Sequence, residues 1–171
     1  GGTYLDNNAT TQIDPKVIEA MEPYLRVYFG NASSQHGYGV PVEKAIARAR
    51  EQVADFIGAQ YDDEIIFTSC ATESDNTALW SALWSQNGKN EIVTTPVEHP
   101  AIMQTCKYIE KQGFEVTYIP VDDKGLINAE DVRNAIREDT ALVTIMYANN
   151  EIGTIQPIDE IGVYNIGVCA D

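Results

Sequence analysis

From residue 64 onward the sequence alternates short apolar runs with amphipathic stretches, and this alternation constrains the fold more than any other feature. Glu64–Thr68, Glu91–Thr95, Phe114–Pro120, Ala141–Tyr147 and Ile166–Ala170 have the length and apolar content of strands. Ala78–Trp84, Ala101–Lys111, Ala129–Arg137 and a short start at Pro157–Ile161 have helical character. Strand and helix in alternation predict an α/β fold with a mainly parallel sheet covered by helices on both faces, a three-layer αβα arrangement. The run Ala-Leu-Val-Thr-Ile-Met at 141–146 is continuous rather than alternating, as expected of a strand buried on both faces.

The first 60 residues read differently. Residues 1–13 are rich in Gly, Asn and Thr and predict an extended entry arm, with Gly1 and Gly2 left over from processing or cloning. Asp14 and Pro15 form an N-cap and first-turn pair. The helix they open carries Val17, Ile18, Met21 and Leu25 on one side, and Pro23 predicts a bend. A polar loop spans Gly30 to Gly39. Val42, Ala45, Ile46, Ala49, Val53, Phe56 and Ile57 then recur at helical spacing, and Gly58 ends that helix.

Charge and composition exclude several function classes. Eleven basic residues stand against 26 acidic ones, a net charge of −15. Such a chain neither neutralises a phosphate backbone nor adheres to an anionic membrane, so nucleic acid and membrane are not expected partners. No apolar run approaches the roughly 18 residues of a membrane span, and no secretory signal is visible. The three cysteines, Cys70, Cys106 and Cys169, are odd in number and widely spaced. They predict neither a disulfide framework nor a zinc site, and point to a reducing, cytoplasmic setting. With only His36 and His99, a transition-metal site is not expected.

In open α/β sheets ligands bind beyond the carboxyl ends of the strands, so the residues that follow each strand are the candidates. Thr68-Ser-Cys-Ala-Thr-Glu-Ser-Asp-Asn76 leads small hydroxylated residues into a helix. Either Ser69 or Thr72 simply caps that helix, or the Ala71 and Thr72 amides with the Thr72 hydroxyl hold an anion. His99 precedes Pro100, a first-turn residue, and so falls at an N-cap, where histidine is a poor choice. It is either an incidental loop residue or an imidazole placed to stack on a flat ligand and move protons. Asn149 and Asn150 serve either a tight turn or a ligand oxygen. Asp171 is either solvated or faces the same pocket.

These residues resemble the pyridoxal-phosphate-dependent cysteine desulfurases of the NifS/IscS type, within the class V aminotransferases. The similarity runs through Tyr4-Leu-Asp-Asn-Asn-Ala-Thr-Thr11, Gly30-Asn-Ala-Ser-Ser-Gln-His36, Ser69-Cys-Ala-Thr-Glu-Ser-Asp-Asn76, Val97-Glu-His-Pro-Ala101 and Met146-Tyr-Ala-Asn-Asn-Glu-Ile-Gly-Thr154, in order along the chain. The resemblance implies the large domain of fold-type I transferases in incomplete form, spanning 14–171, with the arm at 1–13 on the small-domain side. It implies that Ala71 and Thr72 bind the cofactor phosphate and that His99 stacks on the pyridine ring and transfers protons. It further implies that Asn150 bonds the phenolic oxygen and that Asp171 pairs with the ring nitrogen. A carboxylate about 3 Å from that nitrogen holds its proton with an attraction on the order of 5 kcal/mol before desolvation is subtracted. L-cysteine is the implied substrate, alanine and an enzyme persulfide the products, and a homodimer with a sulfur-acceptor or iron–sulfur scaffold protein the implied assembly.

The sequence departs from that pattern. Ala32 replaces a proline, Cys70 a glycine, Asp75 an asparagine and Cys169 a histidine. The family's Schiff-base lysine and persulfide cysteine lie downstream of Asp171. None of Lys16, Lys44, Lys89, Lys107, Lys111 or Lys124 stands in the lysine's motif, and none of the three cysteines in the other. About four residues of the family pattern are missing between Gly162 and Tyr164, which shortens the last crossover. The expectation is a front part of a desulfurase, inactive alone. The alternatives are a selenocysteine lyase or other class V enzyme, or a non-catalytic scaffold or regulatory fragment.

Overall fold

The computed structural model describes residues 2–162 together with 168–169. The chain divides into two compact units, Gly1–Phe67 and Thr68–Asp171.

In the first unit, α1 (Pro15–Arg26) is capped by Asp14, whose Oδ1 accepts the Lys16 amide at 2.7 Å. The helix runs through Pro23 to Arg26, and none of its residues is buried. α2 (Val40–Ile57) ends at Gly58 in the left-handed conformation, φ +75°, with the Gly58 amide bonded to the Ala54 carbonyl. A 3-10 turn at Asp62–Glu64 follows.

The strand expected at Glu64–Thr68 does not form. Residues 65–68 belong to no ladder among the described residues. The Ile65 carbonyl is taken by the Arg50 guanidinium and its amide by the Asp62 carbonyl. Ile65 is buried while Ile66 and Phe67 are both exposed. An apolar run becomes a strand only when its backbone groups find a neighbouring strand.

The second unit builds the predicted parallel sheet. α3 (Ala71–Ser85) leads to β1 (Glu91–Thr94), α4 (Pro100–Lys111) to β2 (Glu115–Tyr118), and α5 (Ala129–Ala135) to β3 (Thr140–Thr144). α6 (Ile158–Ile161) precedes β4 (Val168–Cys169). The strand order is β2-β1-β3-β4, and every pairing is parallel.

Successive residues of the central strands feed opposite faces, as the two-residue period of a strand requires. Ile92 and Leu142 pack with Leu79 and Leu83 of α3 and with Ile102, Cys106 and Ile109 of α4. Val93 and Val143 pack with Val132 of α5 and Ile161 of α6. Helices therefore cover both faces in three layers. From β1 the chain crosses by α4 to β2 on one side, and from β2 it returns by α5 to β3 on the other. The strand order thus reverses between β1 and β3, a topological switch point.

The amino end of the sheet is closed by charge. The Glu91 carboxylate is fully buried and accepts the Thr117 hydroxyl at 2.6 Å and the Thr140 hydroxyl. Arg137 lies 3.4 Å from Glu91, 2.7 Å from Glu115 and 2.9 Å from Asp139. This clamp supplies the countercharge that a buried carboxylate requires.

Candidate functional site

The carboxyl ends of β1 and β3 diverge into two loops, and a cleft of about 540 Å³ opens between them. Pro96, Val97, Glu98, His99 and Pro100 line one wall; Asn149, Asn150, Glu151 and Ile152 line the other. The cleft lies at the switch point, where the right-handed connections carry the chain to opposite sides and leave a crevice.

His99 is the N-cap of α4, and its Nδ1 accepts the Ala101 amide at 3.2 Å. The ring is exposed at the cleft. With Nδ1 as acceptor, the proton of the neutral imidazole sits on Nε2. Capping the helix and lining the cleft are therefore compatible for one ring.

Asn149 takes the turn role, and Asn150 stands beside it at the cleft. Asn149 is buried; its Oδ1 accepts the Glu151 amide at 2.9 Å and the Ile152 amide at 3.0 Å. Its Nδ2 donates to the Val97 carbonyl at 3.1 Å, which joins the two walls. Asn150 is exposed and lines the cleft.

Ala71 and Thr72 open α3, with Cys70 at the N-cap and no side-chain cap bond. Glu73 instead reaches back: its Oε2 accepts the Ser69 amide at 2.7 Å and the Ser69 hydroxyl at 2.6 Å. These two bonds hold the Glu73 carboxyl below its ordinary range. The Ala71 and Thr72 amides make no hydrogen bond among the described residues. Two unpaired amides at the positive end of a helix form an anion cradle.

α3 and α4 start at the same edge of the sheet. The Thr105 hydroxyl, on the sixth residue of α4, lies 2.9 Å from Oδ1 of Asn76, the sixth residue of α3. At the far end Gln86, just past α3, donates to the Ala141 carbonyl at 3.1 Å, near the start of β3. His99 and Asn150 therefore share one cleft, and the Ala71–Thr72 cradle opens on the same sheet edge without lining it. Asp171 lies outside the described residues. Among the described residues no cluster of His, Cys, Asp and Glu could hold a metal ion.

Residues 3–171 match the family described as aminotransferase class-V. The chain belongs to that family. Among relatives of this class-V aminotransferase chain, a cysteine desulfurase of Trichormus azollae is 54% identical over 159 residues, covering 93% of this chain and 40% of the relative. The cysteine desulfurase NifS of Azotobacter vinelandii is 46% identical over 157 residues, covering 92% and 39%. The structure of a NifS-like protein superimposes with a TM-score of 0.90 at 42% identity, covering 97% of this chain and 47% of that one. A structure described as SspA in complex with cysteine superimposes with a TM-score of 0.92 at 38% identity, covering 99% and 50%. The class-V chain thus spans about 40% of the length of the curated relatives it matches.

Two residues at and behind the cleft carry no pattern in the sequence that singles them out. Glu98 is a lone carboxylate in a loop, and Gln156 is a single polar residue between Ile155 and Pro157. Gln156 is buried, accepts the Ile127 amide at 3.1 Å and donates to the Gly125 carbonyl at 2.7 Å, which seats the loop behind Ile152.

Proposed function

We propose that this chain is the cofactor-binding front part of a pyridoxal-phosphate-dependent cysteine desulfurase, and that its cofactor sits at the carboxyl edge of the β2-β1-β3-β4 sheet. The observation that carries this is the shared cleft of His99 and Asn150 at the switch point, beside a helix start with two uncommitted amides.

The residues present fit a flat phosphorylated heterocycle. The Ala71 and Thr72 amides and the Thr72 hydroxyl hold the phosphate, since an anion at a helix start takes both hydrogen bonds and dipole. His99 lays its ring against the heterocycle, and its Nε2 holds or passes a proton. The Asn150 side-chain amide donates to the phenolic oxygen, and Asp171 holds the proton on the ring nitrogen. Bound pyridoxal phosphate supplies the electron sink for cleaving the carbon–sulfur bond of L-cysteine, which leaves alanine and transferable sulfur.

In the whole protein, the arm at 1–13 lies on the small-domain side and 14–171 belongs to the large domain. The Schiff-base lysine and the persulfide cysteine come from the downstream portion. The whole protein works as a homodimer in the cytoplasm and passes its sulfur to an acceptor or iron–sulfur scaffold protein. The relatives' description as cysteine desulfurases and the cysteine complex of a structural neighbour support this substrate.

The test is a titration with pyridoxal phosphate followed by dialysis. The 171-residue chain binds weakly and releases the cofactor completely, Thr72→Ala and His99→Ala each weaken binding further, and L-cysteine yields no sulfide. A cofactor absorbance that survives dialysis, or affinity indifferent to both substitutions, overturns the proposal.

A further inference from the structure

The two walls of the cleft leave the sheet as separate loops. The β1–β3 ladder runs as far as Val93 opposite Val143, so beyond that pair the sheet itself does not hold the strand exits together. Side chains span the gap. Glu98 is 7% exposed, and its Oε1 accepts the Thr95 hydroxyl at 2.9 Å on its own loop and the Met146 amide at 2.9 Å on the other. Asn149 crosses in the opposite direction to the Val97 carbonyl. We propose that Glu98 is a positioning residue: by bridging Thr95 and Met146 it fixes the separation of the loops that carry His99 and Asn150, and so sets the width of the cleft.

The alternative is that Glu98 serves only the start of α4, where a carboxylate is favoured by the helix dipole. The hydrogen bonds point elsewhere. The first free amide of α4, Ala101, is taken by His99 Nδ1, while the Glu98 oxygen reaches across to the exit of β3. A carboxylate taken out of water costs several kcal/mol unless its hydrogen bonds are restored, so its geometry is held tightly once they are made. Glu98 immediately precedes His99, and Met146 lies four residues before Asn150. A shift at Glu98 therefore moves both faces of the cleft at once. Ala71 and Thr72, on α3, are outside this tie.

The functional meaning of the inference rests on the cofactor site proposed above, so the test pairs a readout free of ligand with one that uses it. Hydrogen exchange is followed at the Met146, Glu151 and Ile152 amides in Glu98→Ala and Glu98→Gln. A hydrogen bond to a charged group is worth roughly 1.5–3 kcal/mol, so the Met146 amide, which loses its acceptor, exchanges about tenfold or more faster in Glu98→Ala; the Glu151 and Ile152 amides, held by Asn149 on the same loop, also exchange faster, and the ladder amides of β1 and β2 are unchanged. Glu98→Gln keeps an acceptor oxygen and stays within about threefold of the parent chain. In parallel, affinity for pyridoxal phosphate falls about fivefold or more in Glu98→Ala, while affinity for inorganic phosphate at the α3 start holds within about twofold.

Parent-like exchange in Glu98→Ala overturns the proposal. So does equal loosening in Glu98→Gln, or uniform loosening of the whole sheet. If Glu98→Ala does not fold, Thr95→Val removes one hydroxyl from the bridge; about threefold faster exchange at the same amides supports the proposal, and no change refutes it. Should the parent chain fail to bind pyridoxal phosphate while the exchange pattern appears, the cofactor reading falls and the positioning role of Glu98 stands.

Discussion

The Thr105 hydroxyl lies 2.9 Å from Oδ1 of Asn76 and 2.8 Å from the Ala101 carbonyl, while Nδ2 of Asn76 donates to the Thr72 carbonyl at 2.8 Å. One short polar chain thus runs from the start of α3 to the start of α4. Thr105 is buried, so Thr105→Val removes the link without changing the packed volume much. It is expected to cost about 1–2 kcal/mol, read as a lower urea midpoint at unchanged slope. A shift within error indicates that the helices are registered by apolar packing alone.

Gly125 has φ +75°, and a Cβ placed there would lie 2.7 Å from Cδ1 of Ile152, a residue of the cleft wall. Gly125→Ala combines backbone strain with displacement of that side chain. It is expected to destabilise by about 1–2 kcal/mol. Ile152→Ala removes the clash, so the double variant should lose less than the two single losses added together. Strict additivity in thermal denaturation counts against a contact between this turn and the cleft wall.

Burial pushes the Cys106 thiol up to about 12, with Glu110 and Glu98 adding to the effect. Burial and Glu110 likewise push the Tyr118 phenol up to about 12. In the unfolded chain the two groups ionise near 9 and 10. Between those values and about 12 the native state therefore holds more protons than the unfolded one, and stability falls as pH rises through that window. Below about pH 9 neither group contributes to the pH dependence. Urea midpoints measured from pH 8 to 11 should decline, and the slope should be shallower in Cys106→Ala. Alkylation near pH 8 should label the exposed Cys70 and spare Cys106, whose thiolate fraction is then roughly one part in ten thousand. Rapid labelling of native Cys106 refutes its burial.

Much of this architecture is written locally. The continuous run at 141–146 reads as a two-face strand because both of its faces meet helices, and β3 is buried throughout. Asp14, Pro15 and Gly58 mark helix ends through their own backbone chemistry, and each stands where expected. The segment at 65–68 misleads for the converse reason: its composition suits a strand, but strand formation depends on a neighbour that no local window contains. His99 is visible as a cap through the proline after it. That its own Nδ1 makes the cap bond depends on ring orientation, which spacing does not encode. The cross-loop bonds of Glu98 and Asn149 stay hidden because their partners, Met146 and Val97, lie about 50 residues away in sequence. The crossover shortened after Gly162 and the pairing assigned to Asp171 concern residues outside those described.

The reversal of strand order between β1 and β3 means that the crevice exists before any rim residue trims its width. It is a by-product of the sequence in which the strands are laid side by side, set by connections that run along the flanks. The loops at its rim can therefore be rewritten for another guest while the sheet beneath keeps its hydrophobic interior, and the acidic clamp at the opposite pole need not register the change.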